Sequence, residues 1–240
     1  MARSFVNGTD AYIGTSVVNP QPFSIANWVY PTSPTTAGLS FGIGTLTGSH
    51  GSAIVGPANP STANHWTVYL AGSIAADAGV ALTLNVWSHC GFTAGTAVGW
   101  VAYTNGSQTA SGANFATSTT TNPPLVGQQA SGGFNYGGYV ADCALWNVTL
   151  TAAEWAALAA GTRPNMIRAN NLVVWYPLDG LVTNEPDLSG NGNNLSINFG
   201  SPGVAPIGPP FAPFTRPMRW TQGAILPVAT PPILMPQIVT

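Results

Sequence analysis

The chain of 240 residues is 45% hydrophobic and 5% charged, and its formal net charge is −2 at pH 7. An average soluble protein has about 25% charged residues, and the five basic residues here are all arginines, so the composition argues against nucleic-acid binding. No apolar stretch reaches the roughly 20 residues that a membrane span requires, so we expect no membrane span.

The N-terminal residues, MARSFVNGTDAYI, do not resemble a secretion signal. Polar residues, among them Asn7 and Asp10, interrupt the segment before an apolar run can form. We therefore expect the protein to be made and used without export. Without export, two buried thiols are the favoured interpretation of Cys90 and Cys143, and a disulfide between them is the alternative.

Up to residue 200, short runs rich in β-branched and aromatic residues alternate with Gly, Asn, Ser and Pro. This spacing predicts an all-β domain over residues 1–200, an antiparallel two-sheet jelly-roll sandwich. The predicted strands are FSIANWVY (23–30), WTVYLAGS (66–73), VALTLNVWSHCGF (80–92), GWVAYTNG (99–106), YVADCALWNV (139–148) and LVVWYPL (172–178).

One segment, TLTAAEWAALAAG (149–161), has helical spacing instead. Thr151 is a candidate N-cap, Glu154 lies three residues later as its capping-box partner, and Gly161 ends the pattern. We predict one short helix near residues 151–160. Trp155 and Leu158 share a face at i, i+3, which predicts that they pack on the sheet beside Trp146.

The composition changes near residue 200. Residues 201–240 contain ten of the 21 prolines and three of the 28 glycines. Prolines lack the N–H that a central strand needs, whereas the segment is too apolar for an ordinary disordered tail. We predict an extended C-terminal arm that contacts neighbouring copies or a partner protein. Its candidate assembly residues are Phe211, Phe214, Arg216, Arg219 and Trp220.

Few residues are suited to catalysis. Glu185 and Asp187 have the i, i+2 spacing of paired glycosidase acids. However, Pro186 separates them, a Gly/Asn-rich run follows, and no third acid is present, so we expect no enzymatic activity from this pair. His89 and Cys90 are adjacent, and adjacent strand residues point to opposite faces, which argues against a base and nucleophile.

The run EPDLSGNGNN (185–194) suggests a metal site. Asp187, Asn191 and Asn193 place side-chain oxygens at alternate positions, with intervening glycines that allow the backbone to wrap, and such oxygens suit calcium. Calcium is therefore a possible cofactor. The alternative is an Asx-type turn whose side chains bind their own backbone.

Aromatic residues in SGGFNYGGYV are candidates for sugar binding. Phe134, Tyr136 and Tyr139 lie beside glycines, and exposed aromatic rings can stack on the apolar face of a pyranose. The alternative is that they pack against the facing sheet, since both arrangements give the same sequence pattern.

Several segments together resemble the laminin-G-like, concanavalin A-like lectin/glucanase jelly-roll family, of the type found on phage and bacterial surfaces. The resemblance covers about residues 3–198 and implies a non-catalytic adhesive or ligand-binding scaffold, sometimes with calcium. The similar segments are FVNGTDAYI (5–13), PFSIANWVYP (22–31), WSHC (87–90), VAYTNGSQTASG (101–112), VADCALWNVTLTAAEWAALAAG (140–161) and LVVWYPLDG with EPDLSGNGNNLS (172–196).

The order of these segments differs from the family's usual order. In common members the segment that resembles residues 172–196 opens the domain, whereas here it closes it. A jelly roll tolerates such a permutation when its termini lie on neighbouring strands, so FVNGTDAYI should pair near residues 172–199. The alternative is strand exchange with a neighbouring copy.

Two functional hypotheses follow. The first is a structural virion protein, a phage capsid decoration or other surface component, that is made in the host cytoplasm and displayed on the virion surface. Its expected partners are further copies of the chain and the major capsid protein or another virion protein. The second is a carbohydrate-binding adhesion module on a phage tail or cell surface, with a glycan as ligand. A hydrolase is the third and least favoured interpretation.

Overall fold

A computed structural model describes residues 2–5, 10–18, 22–33, 37–44, 51–57, 64–70, 74–95, 99–113, 121–128, 134–179, 184–205 and 208–210. The strands are β1 (Arg3–Phe5), β2 (Ala11–Gly14), β3 (Val17–Val18), β4 (Phe23–Pro31), β5 (Ala37–Gly44), β6 (Gly51–Pro57), β7 (His65–Leu70), β8 (Ile74–Ala81), β9 (Ser88–Gly95), β10 (Gly99–Thr104), β11 (Ser107–Gly112), β12 (Thr121–Asn122), β13 (Pro124–Val126), β14 (Gly138–Trp146), β15 (Leu172–Tyr176), β16 (Leu195–Phe199) and β17 (Gly203–Val204). The helices are α1 (Ala152–Ala159) and two 3-10 turns, Pro164–Met166 and Ala169–Asn171.

The strands form two antiparallel sheets, as predicted for a jelly-roll sandwich. An eight-stranded sheet has the order β11-β10-β9-β4-β14-β1-β17, with β15 also paired to β14. A seven-stranded sheet has the order β16-β2-β13-β5-β6-β7-β8, and β3 and β12 form a separate small ribbon. Each of the six predicted runs overlaps a strand, but the run 80–92 contains a turn between β8 and β9.

Side-chain alternation along β4 shows how the eight-stranded sheet is covered on both faces. Phe23, Ile25 and Val29 are buried in the main core between the sheets. Ala26 and Trp28 point to the outer face and join two other apolar clusters. Because successive residues of a strand point to opposite sides, a strand that is apolar at nearly every position is expected to be buried on both faces.

Helix α1 covers part of this outer face. Thr151 and Glu154 form the predicted capping box, and the buried Trp155 and Leu158 share a cluster with Trp146, as predicted. The indole of Trp155 lies directly over Gly91 of β9, because a Cβ built at Gly91 would lie 2.2 Å from Trp155 Cζ3. The absence of a side chain at this glycine therefore allows the helix to dock.

The two ends of the domain meet within one chain. Strand β2 pairs antiparallel with β16, with Tyr12 opposite Ile197, and β1 pairs with both β14 and β17. This confirms the predicted contact between the N-terminal segment and residues 172–199, with no need for strand exchange. The sheet also continues past residue 200, since β17 includes Gly203 and Val204.

Two further predictions concern the cysteines and the membrane. Cys90 and Cys143 are both free thiols and both buried, which confirms the favoured interpretation. No helix in the part of the chain that the structure describes is both long and apolar enough to cross a membrane.

Candidate functional site

A polar cleft of about 810 Å³ lies where the end of β14, the start of β15 and the loop before β16 come together. Strands β14 and β15 pair antiparallel, with Trp146 opposite Leu172. This pairing brings the residues just after β14 beside those just before β15. We call this site the amide cleft, after its polar lining residues Ser16, Asn147, Asn170, Asn171, Ser189, Asn191 and Asn193.

The loop on one side of the cleft is organised by Asp187. Its Oδ1 accepts hydrogen bonds from the backbone N–H of Trp175 and of Ser189, both at 2.9 Å. Its Oδ2 accepts from Ser189 Oγ at 2.8 Å and from the backbone N–H of Asn193 at 3.0 Å. Gly190 and Gly192 adopt positive φ angles of 94° and 78°, which glycine permits without strain.

Amide side chains attach this loop to β15. Asn191 Nδ2 donates to the carbonyl oxygens of Leu172 at 2.8 Å and Val173 at 3.0 Å. Asn193 Nδ2 donates to the carbonyl oxygen of Val173 at 3.3 Å. These bonds use the amide nitrogens, and each amide oxygen keeps its own capacity to accept hydrogen bonds.

A second amide pair lies on the opposite side of the cleft. Asn171 Nδ2 donates to Asn147 Oδ1 at 2.8 Å, and the backbone N–H of Asn147 donates to the carbonyl oxygen of Asn171 at 2.9 Å. The neighbouring Asn170 is exposed. None of the described lining residues carries a charge. The cleft therefore offers both amide donors and amide acceptors without a fixed charge.

The predicted calcium ligands lie in this loop, but the structure gives them other partners. Both oxygens of Asp187 accept protein hydrogen bonds, and the amides of Asn191 and Asn193 hold β15. This geometry matches the alternative of an Asx-type turn. Among the described residues, no group of three or more His, Cys, Asp or Glu side chains is placed to hold a metal. Calcium binding by this loop stays a prediction.

Glu185 and Asp187, the candidate acid pair, do not act on a common site in the structure. Glu185 is fully buried, its Oε1 accepts from the backbone N–H of Leu178 at 3.0 Å, and its Oε2 lies 3.8 Å from Arg3 Nη2. Asp187 instead organises the loop beside the cleft. The two carboxylates thus have separate structural partners, and neither is among the described residues that line the cleft.

The three candidate sugar-binding aromatics do not form one surface. Tyr136 is 1% exposed and belongs to the main core, so its ring offers no face to a ligand. Phe134 packs against Tyr69, with 6.1 Å between ring centroids. Tyr139 lies in another cluster, where it stacks on Tyr30.

His89 and Cys90 point to opposite faces of β9, as predicted. The His89 ring packs between Trp28 and Trp155 on the outer face, whereas Cys90 belongs to the main core. Burial lowers the pKa of His89 to about 3 and raises the pKa of the Cys90 thiol. These two groups therefore do not form a base and nucleophile.

Some predicted site residues lie outside the described part of the chain. They are Phe211, Phe214, Arg216, Arg219 and Trp220 of the predicted arm. Conversely, Asn147, Asn170 and Asn171 were not predicted as site residues. No local sequence pattern points to them, because they come together only through the pairing of β14 with β15, which brings segments 24 positions apart into contact.

Comparisons with known proteins give the family. No curated protein sequence matches the chain. Among solved structures, a proposed carbohydrate-binding protein from Bacteroides ovatus is 19% identical with a TM-score of 0.63, covering 85% of this chain and 61% of that chain. This chain thus spans less than two thirds of that protein. A heptameric SAP-like pentraxin from Limulus polyphemus is 13% identical with a TM-score of 0.58, covering 83% of this chain and 94% of that chain.

At these identities the two structures show a shared fold. The family resemblance has a stronger basis, because a model of the concanavalin A-like lectin/glucanases superfamily matches residues 6–156. The match ends before the segment 172–196. Since it covers more than half of the 240 residues, the chain belongs to the concanavalin A-like lectin/glucanase superfamily.

Proposed function

We propose that this protein is a non-catalytic carbohydrate-binding module that holds a neutral glycan in the amide cleft. The observation that carries the proposal is a cleft of about 810 Å³ whose described lining is uncharged and rich in amides, in a member of the concanavalin A-like lectin/glucanase superfamily. Ligand pockets in proteins span about 300–1,000 Å³, so the cleft is large enough for a short oligosaccharide.

The chemistry of the lining matches that of a sugar. Each sugar hydroxyl both donates and accepts a hydrogen bond, and an asparagine side chain can do the same through its nitrogen and oxygen. The loop asparagines are already held by β15, and Asn147 is held by Asn171. Side chains that are fixed in advance lose less entropy when they bind a ligand.

The absence of charge among the described lining residues favours a neutral ligand. An acidic glycan pairs best with arginine or lysine, because charge-assisted hydrogen bonds are the stronger ones. Glycosidases use two carboxyl groups on either side of the scissile bond, and no described lining residue is Asp or Glu. The lining thus supports binding without hydrolysis.

A glycan array tests this function with the full-length chain. We expect binding to neutral oligosaccharides and not to sialylated or uronate-containing ones, with and without added calcium. Asn170→Ala should weaken this binding, because Asn170 is exposed and lines the cleft. Asn165→Ala is the matched control, since Asn165 is exposed in the preceding 3-10 turn and is not among the cleft-lining residues. No binding to any glycan, or binding to acidic glycans alone, would contradict the proposal.

Display of this module on a virion is a further prediction from the sequence resemblance. According to this prediction, the chain forms a homo-oligomer, binds the major capsid protein or another virion protein, and lies on the virion surface. The oligomeric state of the Limulus pentraxin is a property of that protein. Imaging of particles with an antibody against the chain is the measurement that tests virion display.

A further inference from the structure

A second surface on the outer face of the eight-stranded sheet has no role in the amide cleft. Tyr30 of β4 lies opposite Tyr139 of β14 in the strand register, and their rings stack with centroids 5.1 Å apart at 18°. The ring of Trp87 lies 5.5 Å from that of Tyr30 and 6.5 Å from that of Tyr139. We call Tyr30, Trp87 and Tyr139 the aromatic platform.

The platform is accessible. All three side chains are half-buried, and the adjacent Val86 is 48% exposed. Helix α1, the single α-helix among the described residues, packs on the part of this face that carries Gly91. A cluster of large aromatic side chains that is partly open to solvent is a candidate surface for binding a partner.

The C-terminal end of the described sheet lies at this platform. Ala205 is buried in the same cluster as Trp28 and Ala141, against which Trp87 and Tyr139 pack. Its backbone N–H donates to the carbonyl oxygen of Ala2 at 2.8 Å. Ala205 is six residues before residues 211–240, which we call the distal arm.

The composition of the distal arm suits an aromatic surface. Its 30 residues include six prolines, Phe211, Phe214 and Trp220, two arginines and no acidic residue. Proline-rich segments bind aromatic grooves because their extended conformation costs little entropy to fix. Arginine side chains also stack on tyrosine and tryptophan rings.

The length and charge of the distal arm also favour contact with its own domain. In polyproline II geometry, 30 residues span about 90 Å, which is ample to cross a domain whose radius of gyration is about 17 Å. The first 200 residues carry seven acids and three arginines, a formal charge of −4, whereas the distal arm carries +2.

We propose that the distal arm docks on the aromatic platform of its own chain. The composition alone predicts contact with a neighbouring molecule, whereas Ala205, six residues before the arm, lies in the apolar cluster against which two platform residues of the same chain pack. A short connection keeps the local concentration of the arm at its own platform high. The platform is thus an interaction surface for a proline-rich, apolar segment.

Photo-crosslinking in the full-length protein tests this proposal. The photoreactive residue p-benzoylphenylalanine replaces Val86, because this side chain is exposed beside the platform. Met166 is the control position, since it is 73% exposed but lies in the 3-10 turn that follows α1. Mixing chains labelled with nitrogen-14 and nitrogen-15 distinguishes crosslinks within a chain from those between chains. We expect crosslinks from position 86 to residues 211–240 of the same chain, and none to the arm from position 166.

Two outcomes would overturn the proposal. Crosslinks that join only differently labelled chains would place the arm on a second copy, and a folded protein without crosslinks to the arm would show that the arm does not dock there. Hydrogen exchange gives an independent measurement, in which Tyr139→Ala should raise the exchange rate of arm amides about tenfold relative to Met166→Ala. Loss of glycan binding in Tyr139→Ala, with no change in arm exchange, would instead identify the platform as a sugar site.

Discussion

Arg3 and Glu185 form a buried ion pair that joins the two ends of the domain. Arg3 Nη2 lies 3.8 Å from Glu185 Oε2, and the side chains are 5% and 0% exposed. Arg3 Nη1 also donates to the carbonyl oxygen of Pro202 at 3.3 Å, and the guanidinium lies 5.6 Å from the Tyr12 ring centroid. One arginine on β1 thus contacts β2, the segment before β16 and the segment before β17.

Arg3→Met should destabilise the fold by about 3–5 kcal/mol, because it leaves the carboxylate of Glu185 buried without its cation. The double variant Arg3→Met with Glu185→Gln should recover part of this loss, since a neutral amide costs less to bury than a charge. Urea denaturation of the three proteins measures the free energy of unfolding. A double variant no more stable than Arg3→Met would contradict this account of the pair.

Gly91 provides a test of how α1 docks. Gly91→Ala places a methyl group against Trp155 and 2.8 Å from the carbonyl oxygen of Ile25, so we expect a loss of about 1–3 kcal/mol from overpacking. Gly203→Ala is the control, because its new Cβ would have its nearest contact at 3.8 Å, with Ser4. Thermal unfolding measures both. Equal melting temperatures for the two variants would show that the indole does not need this space.

Replacing Asp187 in the loop beside the amide cleft tests whether this loop is only a turn or also a calcium site. Asp187→Ala removes the acceptor of four hydrogen bonds, and we expect a loss of about 3 kcal/mol or more, since bonds to a charged group contribute about 1.5–3 kcal/mol each. If the loop is only a turn, millimolar calcium leaves the melting temperature unchanged. A rise with calcium in the wild type, absent in Asp187→Ala, would support the calcium prediction by linkage.

His89 should make stability depend on pH. Its pKa is about 3 in the folded chain because of burial, against 6.5 without that burial. Below pH 6.5 the unfolded chain therefore binds a proton that the folded chain does not, so the stabilising contribution is complete above pH 6.5 and decreases as the pH falls toward 3. The loss approaches 1.4 kcal/mol per pH unit, a value of about RT ln 10.

His89→Gln removes this dependence, so the free-energy difference between wild type and variant should change between pH 7 and pH 4. Burial raises the pKa of Asp142, which acts in the opposite sense, but this residue is present in both proteins and its effect cancels in the difference. Urea denaturation at several pH values is the measurement. Parallel pH profiles would contradict the pKa shift of His89.

Local sequence signals predicted much of the fold. The capping box of Thr151 and Glu154 depends on residues three positions apart, whose geometry is largely set by the segment itself. The pairing of the N-terminal segment with β16 is a long-range contact, and it followed from the family resemblance and the altered order of its segments. The prediction that His89 and Cys90 lie on opposite faces of β9 followed from the alternation of side chains along a strand.

The site was harder to predict because it depends on contacts between distant segments. Asn147 and Asn171 meet through the pairing of β14 with β15, which a sequence pattern does not specify. Tyr136 and Tyr139 have similar neighbours in sequence, yet Tyr136 enters the core and Tyr139 the outer face. The two positions are three residues apart, and an odd spacing at the start of a strand puts the side chains on opposite faces, but the sequence does not specify which face is the core.

The central claim, that the amide cleft binds a neutral glycan, is tested most directly by isothermal titration calorimetry. The ligand is the neutral oligosaccharide that binds best on the array, and the proteins are the wild type, Asn170→Ala, Asn147→Ala and Asn165→Ala. We predict that each of the two cleft variants weakens binding about tenfold, the effect of losing about 1.4 kcal/mol of hydrogen bonding, while Asn165→Ala binds like the wild type. Unchanged affinity in both cleft variants would contradict the claim.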